Sequence, residues 1–262
     1  MRKIGIVAAL ILMFLAFCSF FQSAEALGNV NILSHSSFYD SLNTLWVVGE
    51  VENTGDMATQ FTKVTATFYN SSNQVVAVET GYTEIDVLLP GRKSPFSIML
   101  LKSSGSLEVY NYSLTVSWDN YAAGKPLALQ ILSNSSRIDE LGYMHVLGEI
   151  KNTGSSTARF TKAIATFYDA SGTVVGEEWD YTEPSDINSN QTAAFDIELI
   201  YTQQVMKVAS YSLTAESMNY ALIPEYNQTT ISLITLLALT LTLIVIRHKR
   251  SREGLLAKVL RA

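Results

Sequence analysis

Residues 47–55 read VVGEVENTG, and residues 146–154, which lie 99 positions later, read VLGEIKNTG. Leu45, Val47 and Val51, and their partners Met144, Val146 and Ile150, put apolar side chains on one face before an Asn-Thr-Gly end, and charged residues such as Glu50 and Glu149 lie on the other. Alternation with a period of two predicts a strand with one buried face. Asn and Gly are typical turn residues because they tolerate positive φ. Each stretch therefore indicates a half-buried β-strand that ends in a turn.

The same shift of 99 positions aligns most of the chain between its two ends without a gap. Roughly four positions in ten agree, which is typical of an internal duplication. The matching segments are 61–63 with 160–162, 66–69 with 165–168, 82–84 with 181–183, 112–115 with 211–214, and 120–122 with 219–221. We assign residues 27–123 to a first repeat and residues 124–222 to a second.

Both repeats show strand patterns and no helical periodicity. Apolar alternation recurs at 64–68, 96–100 and 112–114, and at the matching positions of the second repeat. About six or seven short strands in a hundred residues predict an antiparallel β-sandwich, immunoglobulin-like in architecture only. The predicted fold class is therefore all-β, with two tandem sandwiches. The short join at 122–126 predicts that they abut in a semi-rigid rod.

The order of these motifs resembles the FxLYD-type domains of secreted and membrane-anchored prokaryotic, especially archaeal, proteins. Residues 67–70 (TFYN) and 166–169 (TFYD) fall where that family has its Leu-Tyr-Asp. Phe68 and Phe167 replace the leucine, and Asn70 replaces the acid. The resemblance implies a β-sandwich that serves as a binding or spacer module, and it brings no catalytic residues to this chain.

The N-terminus has the pattern of a secretory signal peptide, which we assign to residues 1–26. Arg2 and Lys3 precede an apolar run, and Ala24-Glu25-Ala26 supplies the small-residue exit. An uncleaved anchor helix and a lipoprotein signal that uses Cys18 are the alternatives. Cys18 is the only cysteine, so cleavage after Ala26 would leave no disulfide and no thiolate metal site.

The C-terminus has the pattern of a membrane anchor. After a stalk at 223–228, the charge-free segment 229–246 rises about 1.5 Å per residue and just crosses a hydrocarbon core roughly 30 Å thick. The basic tail at 247–262 is expected to stay in the cytoplasm, which places both repeats outside. Pro224-Glu225-Tyr226 is similar to the archaeal Pro-Glu-Phe sorting signal, so a cleaved helix remains the alternative to a permanent anchor.

Charge and motifs argue against several functional classes. The chain carries a net charge of −6, and its acidic centre disfavours nucleic acid. His35 and His145 lack metal-ligand spacing, and no nucleophile elbow or phosphate-binding loop occurs. Asp139-Glu140, Asp40 and Asp186 could join a calcium site at loop tips, although no EF-hand spacing supports one. We predict no catalytic residues, no metal ligands and no cofactor. The pairs Glu50/Lys63 and Glu149/Lys162 are interpreted as exposed cross-strand ion pairs.

Two kinds of surface feature remain as candidate sites. Five glycosylation sequons are present, at Asn70, Asn111, Asn134, Asn190 and Asn227. Trp179 matches a threonine in the first repeat, so it is special to one copy and is the candidate contact residue.

The sequence thus predicts a single-pass cell-membrane protein with its repeats outside. Its partners would be membrane lipid at the C-terminal helix and envelope proteins or glycans at the repeats. The function that fits is a noncatalytic cell-surface binding or scaffold protein. An accessory, ligand-recognition subunit of a membrane complex is the alternative.

Overall fold

The computed structural model describes residues 27–223, and this part of the chain is almost entirely antiparallel β-structure. The strands of the first repeat are β1 (Val30–Tyr39), β2 (Leu45–Asn53), β3 (Ala58–Tyr69), β4 (Val75–Tyr82), β5 (Val87–Leu88), β6 (Lys93–Leu100) and β7 (Asn111–Tyr121). Two short 3-10 turns, Lys102–Ser104 and Ser106–Glu108, separate β6 from β7.

The second repeat follows the same order, except that an isolated bridge replaces the counterpart of β5 and a short extra strand, β14, ends the repeat. Its strands are β8 (Leu127–Ile138), β9 (Met144–Asn152), β10 (Lys162–Tyr168), β11 (Val174–Tyr181), β12 (Thr192–Leu199), β13 (Ser210–Glu216) and β14 (Ala221–Leu222). One helical turn, α1 (Thr202–Val205), separates β12 from β13.

Each repeat encloses one core between two layers of strands. In the first repeat the sheet β1–β2–β6 faces a sheet in which β3 pairs with β4, β5 and β7. Val51 and Phe96 from one layer pack with Val64 and Phe68 from the other. In the second repeat a short parallel pairing of β14 with β8 joins the two layers into one seven-stranded order, β11-β10-β13-β14-β8-β9-β12. The predicted alternation of buried and exposed positions accounts for both cores.

The Asn-Thr-Gly ends of β2 and β9 have a different role from the one predicted. Neither asparagine has a positive φ, and both are fully buried. The side-chain amide of Asn53 donates to the carbonyls of Met57 and Leu88, at 2.8 and 2.9 Å. Asn152 donates to its counterparts Ser156 and Ile187. The motif therefore holds two loops together inside the protein, rather than supplying a left-handed turn.

The two repeats pack face to face. The outer face of β1–β2–β6 lies against the outer face of β10–β11, and Ile164 of β10 is fully buried in the cluster that forms the core of the first repeat. Val174 of β11 packs with Phe38 and Val48. Tyr201 adds an edge-to-face contact with Phe38, at 5.1 Å between ring centroids. We call this contact the repeat interface.

Three sets of polar contacts also cross the repeat interface at successive positions along the strands, in addition to the hydrogen bonds of Glu216 with Asp86 and of Arg92 with Thr214. The three sets are the Ser34 and Ser36 hydroxyls with the backbone of Val174 (3.0 and 2.6 Å), the Tyr168 hydroxyl donating to Glu50 (2.6 Å), and Lys162 with Glu84 (3.6 Å). Contacts spread over whole strands make the two repeats one compact unit. The expectation of sandwiches that merely abut as a rod is therefore wrong.

The predicted ion pairs are also wrong. Glu50 is buried, with only 3% of its surface exposed, and its salt bridge is to Lys93. Lys162 pairs across the repeats with Glu84 and not with Glu149. The alternation along the strands predicted that these residues face solvent. The strand faces that carry Glu50 and Lys162 are instead covered by the other repeat.

Among residues 27–223 no helix is long and apolar enough to span a membrane. The signal peptide, the membrane helix and the basic tail fall outside the described residues, as does the stalk beyond residue 223.

Candidate binding surface

An exposed strip of three aromatic rings runs along the edge of the second repeat. Phe160, Tyr181 and Trp179 are 55%, 45% and 38% exposed. The Phe160 and Tyr181 ring centroids are 6.5 Å apart, and those of Tyr181 and Trp179 are 5.3 Å apart. The Lys162 ammonium lies 5.2 Å from the centroid of the Trp179 ring, within cation–π distance. We call these three rings the aromatic strip.

Strand pairing and one unusual backbone position build the aromatic strip. Trp179 and Tyr181 are two residues apart on β11, so they share a face, and Tyr181 pairs with Lys162 of β10. Phe160 precedes β10 at φ 48°, in the left-handed region, and its backbone N–H donates to the Asp186 carboxylate at 2.9 Å. A phenylalanine pays conformational energy there, which the Asp186 hydrogen bond helps to offset.

The first repeat has an incomplete version of the aromatic strip. Phe61 also has a positive φ, 49°, and Tyr82 corresponds to Tyr181; both are exposed. Thr80 stands where the second repeat has Trp179. The sequence therefore predicted the residue that distinguishes the copies, whereas Phe160 and Tyr181 were missed. The sequence feature that could have revealed them is that an aromatic residue recurs at each of these two positions in both repeats.

The aromatic strip is suited to recognition rather than to bond chemistry. Neighbouring rings meet at 82° and 63°, so they form an apolar notch and not a flat platform. Exposed tryptophan and tyrosine side chains bind with little loss of conformational freedom and often dominate interface energetics. The notch can hold an apolar side chain or one face of a sugar ring.

A second cluster lies on the outer face of β8–β9–β12. His145 Nδ1 is 2.9 Å from Asp196 Oδ1, and His145 Nε2 is 3.5 Å from Asp139 Oδ2 and 3.6 Å from Glu198 Oε1. The hydrogen bond with Asp196 raises the pKa of His145 above its ordinary value. Backbone hydrogen bonds from Tyr143 and Leu141 lower the pKa of Asp139.

This cluster offers one ligand atom each from Asp139, His145 and Glu198, so these are the described residues that could hold a divalent cation. Sequence spacing missed the set, because residues 139, 145 and 198 meet only through strand pairing. In the first repeat Trp46 takes the place of the histidine and donates to Asp40 at 3.1 Å. Asp40 accepts N–H groups of its own loop and Asp186 accepts the Phe160 N–H, so neither joins Asp139.

Two acidic side chains near the repeat interface have strongly raised pKa values. Burial, together with the charge of Glu84, raises the pKa of Glu177 to about 8 and that of Glu178 to about 7. Glu177 Oε2 is buried and has no hydrogen-bond partner. A group of this kind holds its proton near neutral pH, which makes the repeat interface sensitive to pH.

The four sequon asparagines within residues 27–223 are exposed or partly exposed. Asn70 and Asn190 occupy turns, Asn111 begins β7, and Asn134 lies within β8. Asn70 accepts hydrogen bonds from the backbone of Ser72 and Gln74. Asn227 lies outside the described residues.

Comparison with known proteins gives no family for this chain. No family model matches, and no curated protein matches. Among solved structures, an exo-chitosanase of Amycolatopsis orientalis has a TM-score of 0.27 at 12% identity, over 72% of this chain and 26% of the enzyme. A glycoside hydrolase family 2 β-glucuronidase (TM-score 0.24, 11% identity, 77% of this chain and 25% of that one) and red sea bream transglutaminase (0.21, 7%, 79% and 32%) are similar at the same low level. This chain spans about a quarter to a third of each, and such scores carry no functional argument.

Proposed function

We propose that this protein is a noncatalytic binding protein of the cell surface, built from two tandem immunoglobulin-like β-sandwiches and held in the membrane by its C-terminal helix. The observation that carries the proposal is the aromatic strip of Phe160, Tyr181 and Trp179. Large apolar rings are rarely left exposed side by side unless they meet a partner. The partner would be an envelope protein or its glycan, docking in the notch between the rings.

The repeat interface supports a binding role because it makes the strip rigid. The strip continues the outer face of β10–β11, on which Ile164 is buried against the first repeat. Lys162 joins the two features, since it pairs with Glu84 of the first repeat and lies over the Trp179 ring. A surface held in place from two sides loses little freedom when it binds.

Envelope fragments of the native cell provide the test. The full chain, reconstituted in nanodiscs, is mixed with these fragments, and the fraction that sediments with them is measured. Trp179→Ala and Phe160→Ser should each weaken binding at least tenfold. Phe61→Ser, the matched change in the first repeat, should leave binding unchanged. Equal binding by all variants would refute the strip as the contact surface.

The membrane anchor needs a separate measurement. Native membranes are extracted at alkaline pH, and the intact mass and both terminal peptides of the retained protein are determined. A membrane-bound chain that begins at Leu27 and keeps Ala262 supports a permanent anchor. A chain that ends near Glu225 would mean that the helix is a sorting signal and that another anchor replaces it.

A further inference from the structure

The repeat interface joins two different faces. The first repeat uses the outer face of β1–β2–β6, and among residues 27–223 nothing covers the matching face of the second repeat, β8–β9–β12. We call it the acidic face. The second repeat uses the outer face of β10–β11, and within the same described range the outer face of β3–β4 in the first repeat is likewise free. We call it the threonine face. Contacts between unlike faces can continue from copy to copy, because every added copy offers a new free face.

The three sets of polar contacts along the strands have identical counterparts on the two free faces, whereas Glu216 and Arg92, which also join the repeats, are matched by Ser117 and Gln191. The acidic face carries Ser133, Ser135, Glu149 and, at its end, Glu183, where the first repeat has Ser34, Ser36, Glu50 and Glu84. The threonine face carries Lys63, Tyr69 and Val75, where the second repeat has Lys162, Tyr168 and Val174. All three sets of polar contacts could thus form again between two chains, with the same side chains on both sides.

These counterparts are accessible. Ser133, Ser135 and Glu149 are exposed, whereas Glu50 in the repeat interface is buried. On the threonine face, Lys63 and Val75 are exposed, whereas Val174 is fully buried. The repeat interface, in which Glu50 and Val174 are buried, therefore indicates which side chains of the free faces a second copy would bury.

Where the free faces differ from the repeat interface at the positions of its aromatic cluster, they carry charged side chains, and acids outnumber the single arginine on the acidic face. Phe38, Trp46 and Tyr201 form an aromatic cluster within the chain, and Arg137, His145 and Lys102 stand at the matching positions. Asp139, Asp196 and Glu198 surround His145 on the acidic face. In the matching arrangement Lys102 of one copy would meet Arg137 and these three carboxylates of the next, so attraction outweighs the one repulsive pair.

We propose that the protein associates head to tail with further copies of itself, the acidic face of one chain packing on the threonine face of the next. Thr65 stands where Ile164 provides buried apolar contact, and Thr80 stands where the second repeat has Trp179. The contact between chains is therefore weaker than the one within the chain, and it depends on surface density and on salt. This association goes beyond the proposed binding role and does not involve the aromatic strip.

Cysteine crosslinking in native membranes tests the association. In a Cys18→Ser background, Val75→Cys/Ser135→Cys places a cysteine on each free face at the counterparts of Val174 and Ser36. Mild oxidation should give a ladder of dimers, trimers and higher species on non-reducing gels. Ser36→Cys/Val174→Cys should instead lock single chains internally, which verifies the geometry. Ala123→Cys/Ser155→Cys, two exposed positions away from both faces, should give no ladder.

Charge reversal distinguishes a specific contact from random collision. Lys63→Glu should reduce the ladder at least fivefold, and Lys63→Glu/Glu183→Lys should restore it. Phe160→Ser should leave the ladder intact, so a failure of the proposed binding site is separable from a failure here. The absence of a ladder while the internal lock forms, a ladder equal to that of the Ala123/Ser155 control, indifference to charge reversal, or arrest at dimers would each overturn the inference.

Discussion

Two buried asparagines, Asn53 and Asn152, do the same work in each repeat. Each side-chain amide donates to two loop carbonyls, and its oxygen accepts the N–H of the glycine two residues later, at 3.0 Å for Gly55 and 2.8 Å for Gly154. A buried carbonyl that loses its only side-chain donor keeps its desolvation cost, which is about 1–3 kcal/mol for a polar group. Each asparagine side chain therefore contributes more to the free energy of unfolding than its number of contacts suggests.

We predict that Asn152→Ala lowers the free energy of unfolding by about 2–4 kcal/mol, because two carbonyls and one N–H lose their buried partner. Chemical denaturation of the full chain in nanodiscs, followed by circular dichroism of the strands, measures the loss. Asn188→Ala is the control, since Asn188 is exposed and accepts one bond from Thr157. It should change stability by less than about 0.5 kcal/mol. Equal effects of the two changes would contradict the role given to the buried amide.

Glu177 makes the stability depend on pH in a direction that can be worked out. Burial and the charge of Glu84 raise its pKa from 4.5 to about 8 in the folded protein. The folded state thus binds the proton more tightly than the unfolded state, so this stabilisation is complete below about pH 4.5 and is lost as the pH rises toward 8. Glu178, with a pKa of about 7, acts in the same direction.

We expect the free energy of unfolding to fall between pH 5 and pH 8, with an upper limit of about 1.4 kcal/mol for each unit of pKa shift. Glu177→Gln, which cannot ionise, should remove most of this slope and make the protein more stable at pH 8. Glu140→Gln, at an exposed position, should leave the slope as it is. Urea titrations at four or five pH values give the slopes, and an unchanged slope in Glu177→Gln would refute the assignment.

At the scale of strands, the sequence predicts correctly which side chains lie in the core of each repeat. It predicts poorly whether the opposite face of a strand is exposed to solvent or covered. Alternation placed Val51, Phe68 and Phe96 in the core, where they lie. The same alternation placed Glu50 and Tyr168 outside, because a strand pattern records only which face is apolar. Burial of a polar face by another repeat leaves no periodic signal. Its trace is a difference between copies, such as Ile164 against Thr65, and that difference does not reveal what covers it.

The candidate site was likewise predicted only in part. Trp179 was predicted because it differs between the copies, but its neighbours come from strand pairing that the sequence does not specify. Phe160 reaches the strip through a left-handed backbone position, which no residue preference of phenylalanine would suggest. The acid–histidine cluster likewise depends on the register of β9 with β12, which pairs His145 with Glu198.

The hydrogen bond between β10 and β2 across the repeat interface supplies a prediction at this scale. Tyr168→Phe removes the hydroxyl that donates to buried Glu50 and should destabilise the protein by about 1.5–3 kcal/mol, as expected for a hydrogen bond to a charged group. Tyr69→Phe is the matched control, since its hydroxyl makes only a 3.3 Å exposed contact with Ser113. A double-mutant cycle of Tyr168→Phe with Glu50→Gln should give a coupling above about 1 kcal/mol, and additive effects would contradict it.

For the molecule as a whole, the repeat interface turns a duplication into one cooperative unit. Two sandwiches joined only by a linker would unfold independently. Here Ile164 of the second repeat is buried in the core cluster of the first. In addition, the buried carboxylate of Glu216 accepts hydrogen bonds from the backbone N–H groups of Asp86 and Val87 and forms a salt bridge with Lys125. Neither repeat can lose its structure without exposing surface on the other.

We therefore predict a single unfolding transition in which both repeats melt together. Trp46 and Trp118 lie in the first repeat and Trp179 in the second, so Trp179→Phe and Trp46→Phe/Trp118→Phe leave fluorescence reporters in one repeat at a time. Their midpoints in urea should coincide.

The change Ile164→Thr gives β10 the residue found at position 65 of the first repeat. It should uncouple the repeats and separate the midpoints, because the contact between the repeats loses its buried apolar side chain. The matched change Ile197→Thr, within the core of the second repeat alone, should lower stability while leaving a larger share of the coupling intact. Separate midpoints in the parent chain would mean that the repeat interface contributes too little free energy to join the two halves, and the rigidity argued for the aromatic strip would lose its basis.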